Sequence, residues 1–188
     1  MTTFNKQKNN SSKMLLWISM ISMSMLFAGL ISAIILRKAE GNWLDFDYPI
    51  WFYISTILIL ISSFTINSAK KYIKKDQLKI AEKYLKWTLI LGLGFTLSQT
   101  LIWSSLFDSG VYFTGPGSNA SGSFFYVLTL LHLLHLAAGI IALIITYKNL
   151  IFGLYSSQNL LGVELCAIFW HFLDILWIFL FLFLLYIH

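Results

Sequence analysis

His171 and Asp174 stand three residues apart inside an apolar run from Leu165 to Ile187, so in a helix an imidazole and a carboxylate share one face. The run is long enough to span a bilayer. At about 1.5 Å of rise per residue Asp174 falls near mid-membrane, where an ionised side chain costs a few kcal/mol on even the lowest scales. Such a group must have a partner or stay neutral. Ionisable residues at this depth usually face a bundle interior and belong to an ion, proton or cofactor site; the plain alternative is a buried polar pair that fixes helix packing.

A second pair, His132 and His135, also shares one helix face, in the run from Phe124 to Tyr147. If the two runs are antiparallel helices, counting rises from each end places His132 level with Asp174 and His135 level with His171. Glu164, seven residues before His171, lies on nearly the same stripe close to the surface. Three chemistries fit this set. A haem needs axial ligands on opposite sides of the macrocycle, which His135 and His171 offer. A metal ion can use two histidines and a carboxylate. A structural network has His132 donating to Asp174, with the remaining imidazole satisfied by backbone or by Gln99.

The elements that must position these groups are all of one kind. The chain has 188 residues, 58% hydrophobic and 11% charged, with a mean hydropathy of +0.76, too little charge to cover a water-soluble globule of this size. Five apolar spans emerge: Met14 to Leu36, Pro49 to Ser68, Lys86 to Leu106, Phe124 to Tyr147 and Gly162 to Ile187. Each has the length of a transmembrane helix. The expected fold is therefore all-α, a polytopic five-helix membrane bundle forming one domain over residues 14–188, preceded by a disordered tail over residues 1–13. The first span is longer than a signal-peptide core and is followed by no small-residue cleavage pattern, so it is expected to be retained.

Cys166 is the only cysteine, which removes an intrachain disulfide and a cysteine metal cluster from consideration and leaves a small packing residue. The net charge of +5 is explained by topology, not by nucleic acid. With the N-terminus inside, eleven lysines fall on inner segments, while only Arg37 and Lys38 fall outside. That bias places the C-terminal His188 outside. The Lys70 to Lys86 run is interleaved with Tyr72, Ile73, Leu78, Ile80 and Tyr84, a pattern for an amphipathic extension along the membrane surface, in contact with anionic lipid. Ser22, Gly29 and Ala33 in span one, and Thr88, Gly92, Thr96, Gln99 and Trp103 in span three, form stripes of the kind that bring helices together. Asn119-Ala120-Ser121 fits a glycosylation triplet of little weight.

These residues also carry a resemblance. Phe27-Ala28-Gly29-Leu30 in span one, Ser55-Thr56, Ser62-Ser63 and Thr65 in span two, and Gln99 with Trp103 in span three are followed by Phe125-Tyr126, Thr129, His132-Leu133-Leu134-His135 and Gly139. Trp170-His171-Phe172 with Asp174 and Trp177 completes the set. In order and spacing the chain resembles subunit III of the haem-copper respiratory oxidases, in the short five-helix form found in bacteria. One departure stands out: relatives often carry a serine-glutamate pair shortly before the Phe-Ala-Gly stretch, and here Ser22-Met23-Ser24 puts Met23 in the carboxylate's place.

The resemblance implies a non-catalytic subunit of a proton-pumping terminal oxidase in a bacterial inner membrane, with no haem or copper of its own. It implies packing against subunit I, which holds the haems and copper, with subunit II handling electron arrival. It also implies bound phospholipid and support of proton uptake and stability. The polar cluster His132, His135, His171, Asp174, Glu164 and Gln99 is then structural, or related to lipid or protons. Trp170, Trp177, Tyr126 and Gly139 are motif positions. Two alternatives stand beside it: the equivalent subunit of a quinol oxidase or a nitric-oxide-reductase-associated homologue, and, from another class, a small haem-b membrane cytochrome.

Overall fold

The computed structural model describes residues 3–41, 43–157 and 159–187; His188, whose outer location the charge bias predicts, lies outside them. Five helices account for nearly all of it: α1 (Thr3–Ala39), α2 (Ile50–Lys74), α3 (Leu78–Asp108), α4 (Ala120–Ile151) and α5 (Leu161–Ile187). All five are long and apolar enough to cross a membrane, and there is no β-strand among the described residues.

Four helices close into a ring in which α2 packs on α3, α3 on α4, α4 on α5, and α5 back on α2, while α1 touches only α4 and α5. Lipid supplies no hydrophobic drive between helices, so small residues and hydrogen bonds decide which faces meet. The span-three stripe does so as expected: Thr88, Gly92 and Gln99 are buried. The span-one stripe does not, because Ser22 and Gly29 are exposed and a Cβ on Gly29 would meet nothing within 4 Å. Instead α1 turns Met20, Phe27 and Ile34, a seven-residue repeat, inward.

Two expectations about the ends change. α1 begins at Thr3, within the segment whose composition suggests a disordered tail, and Ser11 Oγ donates back to the Gln7 carbonyl at 3.0 Å. The lysine-rich run does not lie along the membrane surface. It continues α2 and α3 as a hairpin, in which Ile73, Ala81 and Leu85 are fully buried and Tyr72 stacks on Tyr84 at 5.3 Å. Asp76 turns that hairpin with φ +55°, and its Oδ1 accepts from the Ser157 amide at 2.9 Å, tying the hairpin tip to the α4–α5 connection. Asn119, read as a glycosylation triplet, is the N-cap of α4, accepting from the Ser121 amide at 3.2 Å.

The hydrogen bond from Ser157 holds the Asp76 carboxyl below its usual range. A depressed folded-state value means that this docking contributes fully above the ordinary carboxylate range and is lost as pH falls through the depressed one. The protection factor of the Ser157 amide, its intrinsic exchange rate over the observed rate at the same pH, is expected to fall on acidification, and to lose that pH dependence in Asp76→Asn, which tolerates the left-handed backbone.

Gly92 sets a second expectation. A Cβ there would lie 2.7 Å from the Trp170 ring, whereas one on Gly94 would meet only Leu58 at 3.7 Å. Gly92→Ala should cost about 1–3 kcal/mol through overpacking, and Gly94→Ala should be near neutral. Thermal melting in detergent distinguishes them.

Candidate functional site

α5 carries the residues on which the ring closes. Trp170 is fully buried, donates from Nε1 to Ser62 Oγ on α2 at 3.0 Å, and rests in spaces left by Gly92 on α3 and Gly139 on α4. Two turns later Trp177 donates to Thr56 Oγ1, also on α2, at 3.1 Å. On the α3–α4 seam, Trp103 donates to Thr129 Oγ1 at 3.1 Å. In each case the accepting hydroxyl gives its own proton to its helix: Ser62 to the Ile59 carbonyl at 2.7 Å, Thr56 to Phe52 at 3.1 Å, and Thr129 to Phe125 at 2.8 Å. With its proton committed, each oxygen has only lone pairs left to offer, and indole N–H, a donor with no acceptor, complements it. Tyr126 works differently, donating to the carbonyls of Trp103 and Val111 at 3.3 and 3.1 Å, which fastens the α3–α4 loop.

His171 joins the same α2–α5 seam. Its Nδ1 lies 2.7 Å from Ser63 Oγ and 3.9 Å from Asp174 Oδ2. The side chain is 34% exposed against 3% for Asp174. Glu164, at the lysine-rich end of α5, lies 3.4 Å from Lys13 of α1 and 3.9 Å from Lys70 of α2.

The expected pairing of His132 with Asp174 is not formed as a direct hydrogen bond. Neither residue hydrogen-bonds any described residue, and neither does Gln99, expected to satisfy an imidazole. The physical reason is register. Close packing of Gly139 against Phe169, Trp170 and Leu173 offsets α4 from α5 by about one turn from the count made from the span ends. His132 thus meets Trp177, ring centres 5.0 Å apart, and Phe95 at 5.9 Å. His135 turns toward α1, against Phe27 at 5.8 Å, with Nδ1 on the Leu131 carbonyl at 2.7 Å.

The six polar residues therefore do not converge on one centre. His135 and His171, the axial pair the sequence allows, face α1 and α2 respectively. Among the described residues no group of three or more His, Cys, Asp or Glu gathers as a metal site. Cys166 is a buried free thiol. What the arrangement does chemically is hold polar groups at three depths: an ion cluster at the lysine-rich end, the Ser63–His171–Asp174 group deeper, and Gln99 with His132 in the core. Sequence reasoning missed the roles of Thr56, Ser62 and Ser63. The signal was there in the spacing: Thr56 and Ser62 are six residues apart and their partners Trp177 and Trp170 seven, so one antiparallel register brings both pairs together.

A five-helix integral membrane protein with indole–hydroxyl seams and a polar interior is the class so defined. The chain matches the sequence profile of cytochrome c oxidase subunit III over residues 46–188. It is 32% identical over 174 residues to "Cytochrome c oxidase subunit 3" of Thermostichus vulcanus, covering 88% of this chain and 82% of that protein. It is 28% identical over 184 residues to "Probable cytochrome c oxidase subunit 3" of Mycobacterium bovis, covering 95% and 88%. Against the "Probable cytochrome c oxidase subunit 3" of Rickettsia prowazekii it is 33% identical over 143 residues, 73% of this chain but only 47% of that protein. The chain belongs to the cytochrome c oxidase subunit III family.

The observed seam replaces the earlier pairing in a mutational test. A double-mutant cycle between Ser63→Ala and His171→Phe should show coupling of roughly 0.6 kcal/mol or somewhat more, the range for intramembrane hydrogen bonds. The cycle between His132→Gln and Asp174→Asn should show less. Unfolding in mixed micelles gives both numbers.

Proposed function

We propose that this chain is a non-catalytic subunit of a haem-copper terminal oxidase in aerobic respiration, carrying no redox centre of its own. In this reading haem and copper reside in partner subunits, and the chain packs chiefly on subunit I, with subunit II nearby. The observation that carries the reading is the family match together with histidines that each turn to a different neighbour. An electron carrier would need two of them aimed at one another across a cofactor.

Three finer roles belong to the same proposal. The N-terminus is cytoplasmic, in a bacterial inner membrane, because Lys13 of α1 lies at the same end of the bundle as the lysines of α2 and α3, and Arg37 and Lys38 lie at the other. The α2–α3 hairpin binds anionic phospholipid: Lys71, Lys74, Lys75, Lys79, Lys83 and Lys86 are exposed on it, while its carboxylates are engaged, Asp76 by Ser157 and Glu82 by the Tyr147 hydroxyl at 3.3 Å. The chain supports proton uptake from the inner side without a carboxylate in α1, where Met23 stands.

Affinity purification of the tagged chain from its native membrane tests this. It should bring down a multi-subunit complex with haem absorption, whereas the chain expressed alone should be colourless. A haem b spectrum from the isolated chain that disappears in His171→Ala overturns the accessory role. Removing the subunit should leave initial oxygen consumption largely intact and shorten the working lifetime of the oxidase during turnover.

A further inference from the structure

The hydroxyls along the α2–α5 seam differ in what they do with their protons. Thr56 and Ser62 accept from Trp177 and Trp170 and give their own protons to the Phe52 and Ile59 carbonyls. Ser63, one residue on, is placed between two titratable side chains of α5. Its Oγ lies 2.7 Å from His171 Nδ1, and the same hydroxyl faces the Asp174 carboxyl, short of a full hydrogen bond. From His171 Nδ1 to Asp174 Oδ2 is 3.9 Å. That is too long for a direct hydrogen bond and short enough for the two groups to titrate as a pair.

The surroundings permit few charge states. Asp174 is buried and, ten residues beyond Glu164, lies about 15 Å further into the bilayer, where a lone ion is costly. A carboxylate beside a neutral imidazole leaves one negative charge, and a carboxylic acid beside an imidazolium leaves one positive charge. With a single acidic proton between them the pair is net neutral, whichever partner holds it. No other element supplies a substitute counter-charge at that depth. On α2 the ammonium of Lys70 bears on His171 from the lysine-rich end, but Glu164 lies 3.9 Å from it and 3.4 Å from Lys13 of α1, so that cation is itself paired. On α4, His135 turns to Phe27 of α1, and His132 lies against Trp177 and Phe95. α3 contributes the uncharged Gln99. Among the described residues, His171 is the titratable group that pairs closely with Asp174.

We infer that Ser63, His171 and Asp174 form one proton-binding site, in which imidazole and carboxyl share a single acidic proton through the Ser63 hydroxyl. The exchange balances atom by atom. With the proton on the imidazole, Nδ1–H donates to Ser63 Oγ, and the Ser63 O–H turns to Asp174 Oδ2. In the transfer the Nδ1–H bond breaks as Oγ takes that proton, and the original Oγ–H bond breaks as Oδ2 takes its proton. The imidazolium–carboxylate pair becomes an imidazole and a carboxylic acid, and the reverse steps restore it. Net charge is zero on both sides, so the low-dielectric surroundings do not oppose the exchange as they would the gain or loss of a proton. The site uses this chain's own residues and stands or falls independently of the oxidase-subunit reading.

Solid-state NMR on the full chain in lipid bilayers tests this, with carbon label at the aspartate carboxyls and nitrogen label at histidine and tryptophan. Asp174→Asn and His171→Gln assign the two signals. Across a pH series each protonation step should appear in both the Asp174 carboxyl and the His171 nitrogens, because the steps belong to the pair and not to either residue. In Ser63→Ala each step should be confined to one signal, and Ser63→Thr, which keeps the hydroxyl, should restore the shared steps. The Trp170 indole signal, whose partner Ser62 is untouched, reports in each variant that the seam is intact. An Asp174 carboxyl that stays in one state while His171 titrates alone would overturn the shared proton. Shared steps that survive unchanged in Ser63→Ala would overturn the relay through the hydroxyl.

Discussion

The Trp170 indole is in contact with every helix of the ring. It belongs to α5, gives its N–H to α2, and occupies space that α3 and α4 surrender by placing Gly92 and Gly139 against it. A side chain of that size at such a crossing fixes three interhelical distances together, since close-packed interiors do not absorb an added methyl group without displacement. The offset between α4 and α5 follows from it, and with the offset the depth of every polar group on those helices. His132 lies beside Trp177, not Asp174, because Gly139 must lie beside Trp170.

Hydroxyls on α2 complete that constraint. In lipid, a serine or threonine that bonds only its own helix confers no specificity. One that bonds its own carbonyl and still accepts from a distant N–H selects a particular partner and register. Thr56 and Ser62 do this with Trp177 and Trp170. Ser63 differs, since its hydroxyl lies on the His171 imidazole. The indole ladder and His171 therefore occupy the same seam, and α2 holds both.

Much of this was legible in the sequence. Span number, the helical class and the sharing of faces by His132 with His135, and by His171 with Asp174, follow from apolar length and helical periodicity, which lipid makes nearly compulsory. Register was not legible. Counting from span ends assumes that helices begin at equal depth, and an error of one turn exchanged Trp177 for Asp174 as the neighbour of His132. The lysine run misled for a related reason: its amphipathic pattern suits a helix lying on a membrane as well as one packed in a hairpin, and only the burial of Ile73 and Ala81 against each other's helices decides. Gly29 shows the limit of small-residue stripes, which mark where a helix can be approached and not whether this chain supplies the neighbour.

The committed protons of Thr56 and Ser62 bear on how the bundle is assembled. α5 leaves the ribosome after α2, α3 and α4, so those three helices can occupy the membrane before either indole exists. A free hydroxyl would then face hydrocarbon unmatched. Because each already donates within its own turn, to Phe52 or Ile59, α2 can wait in lipid with its donors satisfied and only lone pairs on offer. Biogenesis and specificity thus draw on opposite ends of the same oxygen.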